Sequence, residues 1–97
     1  MAYTEETVLG IVKARLNRLA SDTSLDAYLK TRIRAADAEL SRNGIKLVAE
    51  NVDDEVFLAD FVAWKHLNRD KNAGMPDWLR LARRERWLKE RGSSDSG

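Results

Sequence analysis

Apolar residues recur along most of this chain at the three- and four-residue spacing that lines up one side of a helix. From about Glu5 to Leu19, the residues Val8, Leu9, Val12, Leu16 and Leu19 form such a stripe, with Lys13, Asn17 and Arg18 off it. Thr4 stands where an N-cap belongs, and Glu5 and Glu6 lie where the helix N-terminus favours negative charge. The run SDTS at 21–24 breaks the period. Ser24 suits the cap of a second helix, whose apolar face carries Leu25, Leu29, Ile33, Ala36 and Leu40. Asn43-Gly44 ends it, because glycine accepts the left-handed backbone conformation common at helix C-termini.

The segment IKLVAENV at 45–52 has no helical period and predicts an irregular or short extended stretch that buries Ile45, Leu47 and Val48. Asp53 and Asp54 are cap candidates for a third helix reaching about Arg69. Its apolar residues, from Val56 and Phe57 through Phe61 and Trp64 to Leu67, cover nearly the whole circumference. A helix apolar all round belongs at the centre of a bundle. NRDKNAG at 68–74 reads as a loop, and Pro76 suits the first turn of a fourth helix running to about Arg91. On that helix Trp78, Leu79, Leu81, Ala82 and Leu88 are expected to face the core. Arg80, Arg84, Trp87 and Arg91, spaced i, i+4, i+7 and i+11, form a stripe on the other side, flanked by Arg83. GSSDSG has the composition of a flexible tail. The pattern predicts an all-α fold, a small bundle of about four helices in one domain over 1–91, with a polar tail at 92–97. The expected core includes Leu16, Leu29, Ile33, Phe57, Phe61, Trp64, Trp78 and Leu79.

Composition narrows the function classes. The 97 residues include no cysteine, which excludes disulfides and thiolate metal sites. MAYTEETVLG lacks the basic-then-apolar order of a signal peptide, and VFLADFVAW is half the length that crosses a bilayer, so an intracellular or particle-bound protein without membrane partners is expected. The net charge of +1 is unevenly spread. Residues 37–60 hold seven acids against two bases, and residues 77–91 hold six bases against three acids. Such asymmetry suits head-to-tail contact between copies as well as an anionic ligand.

Enzyme chemistry is not expected. The single histidine, His66, makes an i, i+4 pair with Asp70, too few ligands for a metal, and Asp53, Asp54 and Glu55 read as helix-end charges. There is no glycine-rich phosphate loop, nucleophile elbow or HExxH, and no cofactor is implied. A helix-turn-helix fits poorly, since about six residues and Pro76 separate the last two helices and the chain is nearly neutral. Three uses remain for Trp87 among its arginines: docking on a protein, stacking on a nucleic-acid base, or packing under the 45–52 segment to complete the monomer's core.

TVLGIVKARL, then SLDAYLKTRIRAADAELSRNGI, then FLADFVAWKHLNRDKNAGMPDWLRLARRERWL is an order that resembles the head–tail connector (adaptor, or head completion) proteins of tailed bacteriophages. The likeness spans roughly residues 5–90. It is most specific over 57–79, where an apolar helix ends in an aromatic, followed by Asn-Arg-Asp, Gly-Met-Pro and a Leu/Arg helix. The resemblance implies a structural virion protein at the head–tail junction, present in the host cytoplasm during assembly. It implies a ring, typically of about twelve copies, joined by heterologous contacts beneath the portal protein. Such a ring extends the channel for packaged DNA, with possible non-specific DNA contact, and gives the tail or a further head-completion protein its attachment surface. On this basis Arg80, Arg83, Arg84, Trp87 and Arg91 are the expected docking residues. A small helical nucleic-acid-binding or DNA-packaging accessory protein is the alternative.

Overall fold

The computed structural model describes residues 5–48, 51–71 and 74–95, with side chains up to Gly92. Its helices are α1 (Glu5–Arg15), α2 (Asp26–Arg42), α3 (Val52–Leu67) and α4 (Asp77–Asp95), and the described residues contain no strand. The protein is an all-α bundle. α3 touches each of the other three helices, α1 and α2 also touch each other, and α4 lies on α3 alone. The near-complete apolar circumference of α3 has this use: Phe57, Leu58, Ala59, Phe61, Val62 and Ala63 are all buried.

The helix ends show how local chemistry sets the chain path. α1 is shorter than its apolar stripe, because Asn17 adopts the left-handed conformation (φ 58°) and Arg18 N–H donates back to the Lys13 carbonyl at 2.8 Å. Leu19, expected in the core, is therefore thrown onto the surface. Lys13, expected to be solvated, is instead buried. Its Nζ donates to the Ala20 carbonyl at 2.9 Å and stands 3.0 Å from Asp26 Oδ1, which fastens the 16–25 connection against α1 and α2.

Ser24 does not cap α2. Its N–H and hydroxyl both donate to Asp22 Oδ1, at 3.0 and 2.7 Å, and Leu25 holds the N-cap position without a side-chain bond. A carboxylate two residues upstream competes successfully for the serine. The Thr4 cap lies outside the described residues. The C-terminus of α2 follows the sequence closely. Gly44 has φ 88°, its N–H donates to the Ser41 carbonyl, and Ile45 N–H donates to the Leu40 carbonyl at 2.8 Å. Those are the two bonds of a Schellman motif, and the apolar residues at its two ends, Leu40 and Ile45, are both buried in the core.

The segment after Gly44 is irregular over 45–48, and Ala49 and Glu50 lie outside the described residues. Ile45 and Leu47 are buried, but Val48, expected to join them, is exposed. The cap of α3 is Asn51, whose Oδ1 accepts from Asp54 N–H at 3.1 Å, and not Asp53 or Asp54. At the other end, residues 92–95 extend α4, and Ser96 and Gly97 lie outside the described residues.

The core gathers Val8, Leu9 and Val12 from α1, Leu29, Ile33, Ala36 and Leu40 from α2, the α3 residues, and Leu79 from α4. Leu16 and Trp64 are partly buried against it. Phe61 is fully buried at the centre, stacked at 6.3 Å from Phe57, so truncating it leaves a cavity that neighbours cannot fill. Phe61→Ala should lower unfolding free energy by about 3–5 kcal/mol in urea denaturation. Leu19→Ser, at a surface position, should change it by no more than about 0.5 kcal/mol.

Candidate functional site

The orientation of α4 determines which side chains are available to a partner. Its apolar stripe predicts Trp78, Leu81 and Leu88 inward, yet all three are exposed, Trp78 at 57%. Leu79 is fully buried and Ala82 packs partly buried against the core, both as expected, while Arg86 and Glu90, at i+7 and i+11 from Leu79, follow it along the inner face. The helix is turned by roughly a quarter-turn from the orientation its leucines alone would give.

The cause is a buried ion pair. Arg86 reaches across to the first turn of α3, where Nε donates to Asp54 Oδ1 at 2.7 Å and Nη2 to Oδ2 at 3.1 Å. The side chains of Arg86 and Asp54 are only 10% and 2% exposed. The same guanidinium donates to the Lys46 carbonyl at 2.7 Å and to Glu90 at 2.9 Å, while Asp54 Oδ2 also accepts from Val48 N–H at 2.8 Å. The hydrogen bonds that Arg86 donates to Asp54 push its pKa still further up, outweighing the opposing effect of burial. A buried pair with its remaining donors satisfied is hard to displace, and three further groups, the Lys46 carbonyl, Val48 N–H and the Glu90 carboxylate, bond to this one.

With Arg86 inward, the expected docking residues share the outer side of α4. Arg80, Arg83, Arg84 and Trp87 line a shallow pocket of about 390 Å³, whose opposite wall is Asn43 and Ile45 at the end of α2. Trp87 is 37% exposed and leans on Gly44, where an added Cβ would lie 3.5 Å from the indole Nε1. The tryptophan is thus partly an intramolecular prop and partly a pocket surface. Arg91 lies outside the pocket, with its guanidinium carbon 4.8 Å from the Trp87 ring centroid. Arg80 is paired with Asp77, whereas Arg83 and Arg84 have no hydrogen bond or ion pair among the described residues.

A second concavity, of about 420 Å³, lies between Trp64 and Leu67 of α3 and Trp78 of α4, with the Arg15–Asp60 ion pair (2.9 Å) at its rim. It exists because Trp78 points away from the core it was expected to fill. His66 does not pair with Asp70. Its Nδ1 shares a hydrogen bond of 3.2 Å with the Tyr28 hydroxyl, and Asp70 lies 3.9 Å from Arg69 instead. Desolvation, followed by the charges of Arg69, Arg18 and Arg32, lowers the His66 pKa from its ordinary value. Among the described residues no cluster of His, Asp and Glu could hold a metal, and no helix is long and apolar enough to cross a membrane.

Arg86 is the residue that spacing did not single out. The available signal was its place on the Leu79–Glu90 stripe, i, i+4 from a carboxylate, but its main partner lies 32 positions away. Comparison with protein families, with curated proteins and with solved structures finds no match to this chain.

Arg86→Met leaves Asp54 buried without its cation, and should cost about 3–5 kcal/mol of stability in urea unfolding. Combining it with Asp54→Asn should recover a measurable part of that loss, because the stranded charge is gone. A simple sum of the two single losses would show that the pair does not act as a unit.

Proposed function

We propose that this protein is a structural connector at the head–tail junction of a tailed phage, assembling as a ring beneath the portal and offering a surface to the tail or a completion protein. One observation carries the proposal: α4 rests on a single helix and exposes both a tryptophan–arginine face, where Trp87 is only partly covered by its lean on Gly44, and a tryptophan–leucine face. Tryptophan and arginine are the residues most enriched at interface hot spots. A closed ring of identical copies needs two different patches on each copy, and α4 supplies two of different chemistry. The all-α bundle and the order of its segments fit the resemblance over residues 5–90.

Both concavities are shallow surface features lined largely by arginine, tryptophan and aliphatic side chains, a lining that suits docking of another protein. The nucleic-acid alternative draws on Arg83 and Arg84, which suit phosphate contacts, but one ring face of Trp87 is covered by Arg91, which hinders stacking on a base.

Electron microscopy of the protein mixed with its portal should reveal a ring stacked beneath the portal. The double variant Trp78→Ser/Leu81→Ser should keep wild-type far-ultraviolet circular dichroism and lose that ring. Separate sedimentation of wild-type protein and portal, with no composite particle, would count against the connector.

A further inference from the structure

The charges that the sequence distributes so unevenly are largely neutralised within the fold, and that neutralisation is selective. Of the described acids in 37–60, Glu39 pairs with Lys65, Asp54 with Arg86 and Asp60 with Arg15, Glu55 is buried, and Asp37 is half-buried with no cation partner among the described residues. Asp22, Asp70 and Asp77 are likewise held by arginines in their own neighbourhoods. Asp53 and Glu85 are left as the exposed carboxylates with no partner among the described residues. Among the described residues, a second copy therefore offers the basic face of α4 few carboxylates that lack a cation of their own.

The pocket itself is rich in donors. Arg83 and Arg84 bring guanidinium groups that accept nothing, and Trp87 Nε1 has no acceptor among the described residues. Arginine forks match carboxylates in geometry as well as charge. The partly exposed Trp87 indole adds an apolar surface beside them. A duplex offers phosphates to the arginines but no apolar group for the indole, one ring face of which Arg91 already covers. A flexible acidic chain can place carboxylates on both arginines and an apolar side chain against the indole.

We infer that the Arg83–Arg84–Trp87 pocket receives an acidic, apolar-interrupted segment of a protein other than this chain. The inference rests on the connector proposal for its biological setting, since it names the chemistry of the surface that α4 docks against. It also divides the labour of α4: the basic face meets a different protein, and the Trp78–Leu81 face remains for the neighbouring copy.

The test is a fluorescence titration with a capped peptide of glutamates around one central leucine, at about 150 mM salt. Wild-type protein should show a saturable change in tryptophan emission that is absent from Trp87→Phe. Arg83→Glu/Arg84→Glu should bind at least about tenfold more weakly. Arg32→Glu/Lys71→Glu, the same change in net charge on another face, should stay within about twofold. Circular dichroism confirms that each variant is folded. Equal weakening by both double variants, no saturable signal, or tighter Arg83/Arg84-dependent binding of a duplex of about 20 base pairs would each overturn the inference. The connector proposal fails separately: peptide binding without portal binding removes the connector and leaves the pocket, while undiminished portal docking by Arg83→Glu/Arg84→Glu removes the pocket's role and leaves the connector.

Discussion

The contact between Arg86 and Asp54 joins the last helix to the first turn of α3 and, through Lys46 and Val48, to the segment between α2 and α3. α4 touches no other helix, so this contact and the Leu79 plug fix its rotation. The leucines of α4 favour a different rotation, with Trp78, Leu81 and Leu88 inward. Burying a paired charge with satisfied hydrogen bonds is not inherently more stabilising than burying leucines, but it is more selective about geometry. The consequence is specificity at the expense of apolar burial, and the displaced apolar groups become surface.

That displaced surface gives α4 two neighbouring outer faces. One is basic, with Trp87 braced on Gly44 and Arg91 packed over its ring. The glycine contributes twice, since its positive φ ends α2 and its missing side chain lets the indole approach. The other face is apolar, running from the Trp64–Leu67–Trp78 concavity along Leu81 and Leu88. A monomer this small rarely exposes so many large apolar side chains on one element without a partner for them. The exposed pattern suits a component of an assembly.

Much of the bundle was legible in the sequence because its signals are local. Helical spacing marked the buried faces of α1 and α2, the near-complete apolar circumference of α3 marked the central element, and Asn43-Gly44 marked the end of α2. The arginine–tryptophan stripe could be read for the same reason, since residues four and seven apart share a helix face. What could not be read depends on partners far apart in the chain. Lys13 is buried because Ala20 and Asp26 come round to meet it. Trp78 is exposed because Arg86 finds Asp54, and no periodicity within α4 carries that information. Trp87 was open to three uses in sequence, and its lean on Gly44 is likewise visible only in the fold.

The rotation of α4 is the claim on which both faces depend, and the absence of cysteine from the chain makes it directly measurable. Single-cysteine variants Leu79→Cys, Leu81→Cys and Leu88→Cys can be compared by their rates of reaction with a thiol reagent under native conditions. The account predicts fast labelling at 81 and 88 and strong protection at 79. Protection at 81 and 88 equal to that at 79 would mean that the leucines, and not Arg86, set the helix, and would contradict the account.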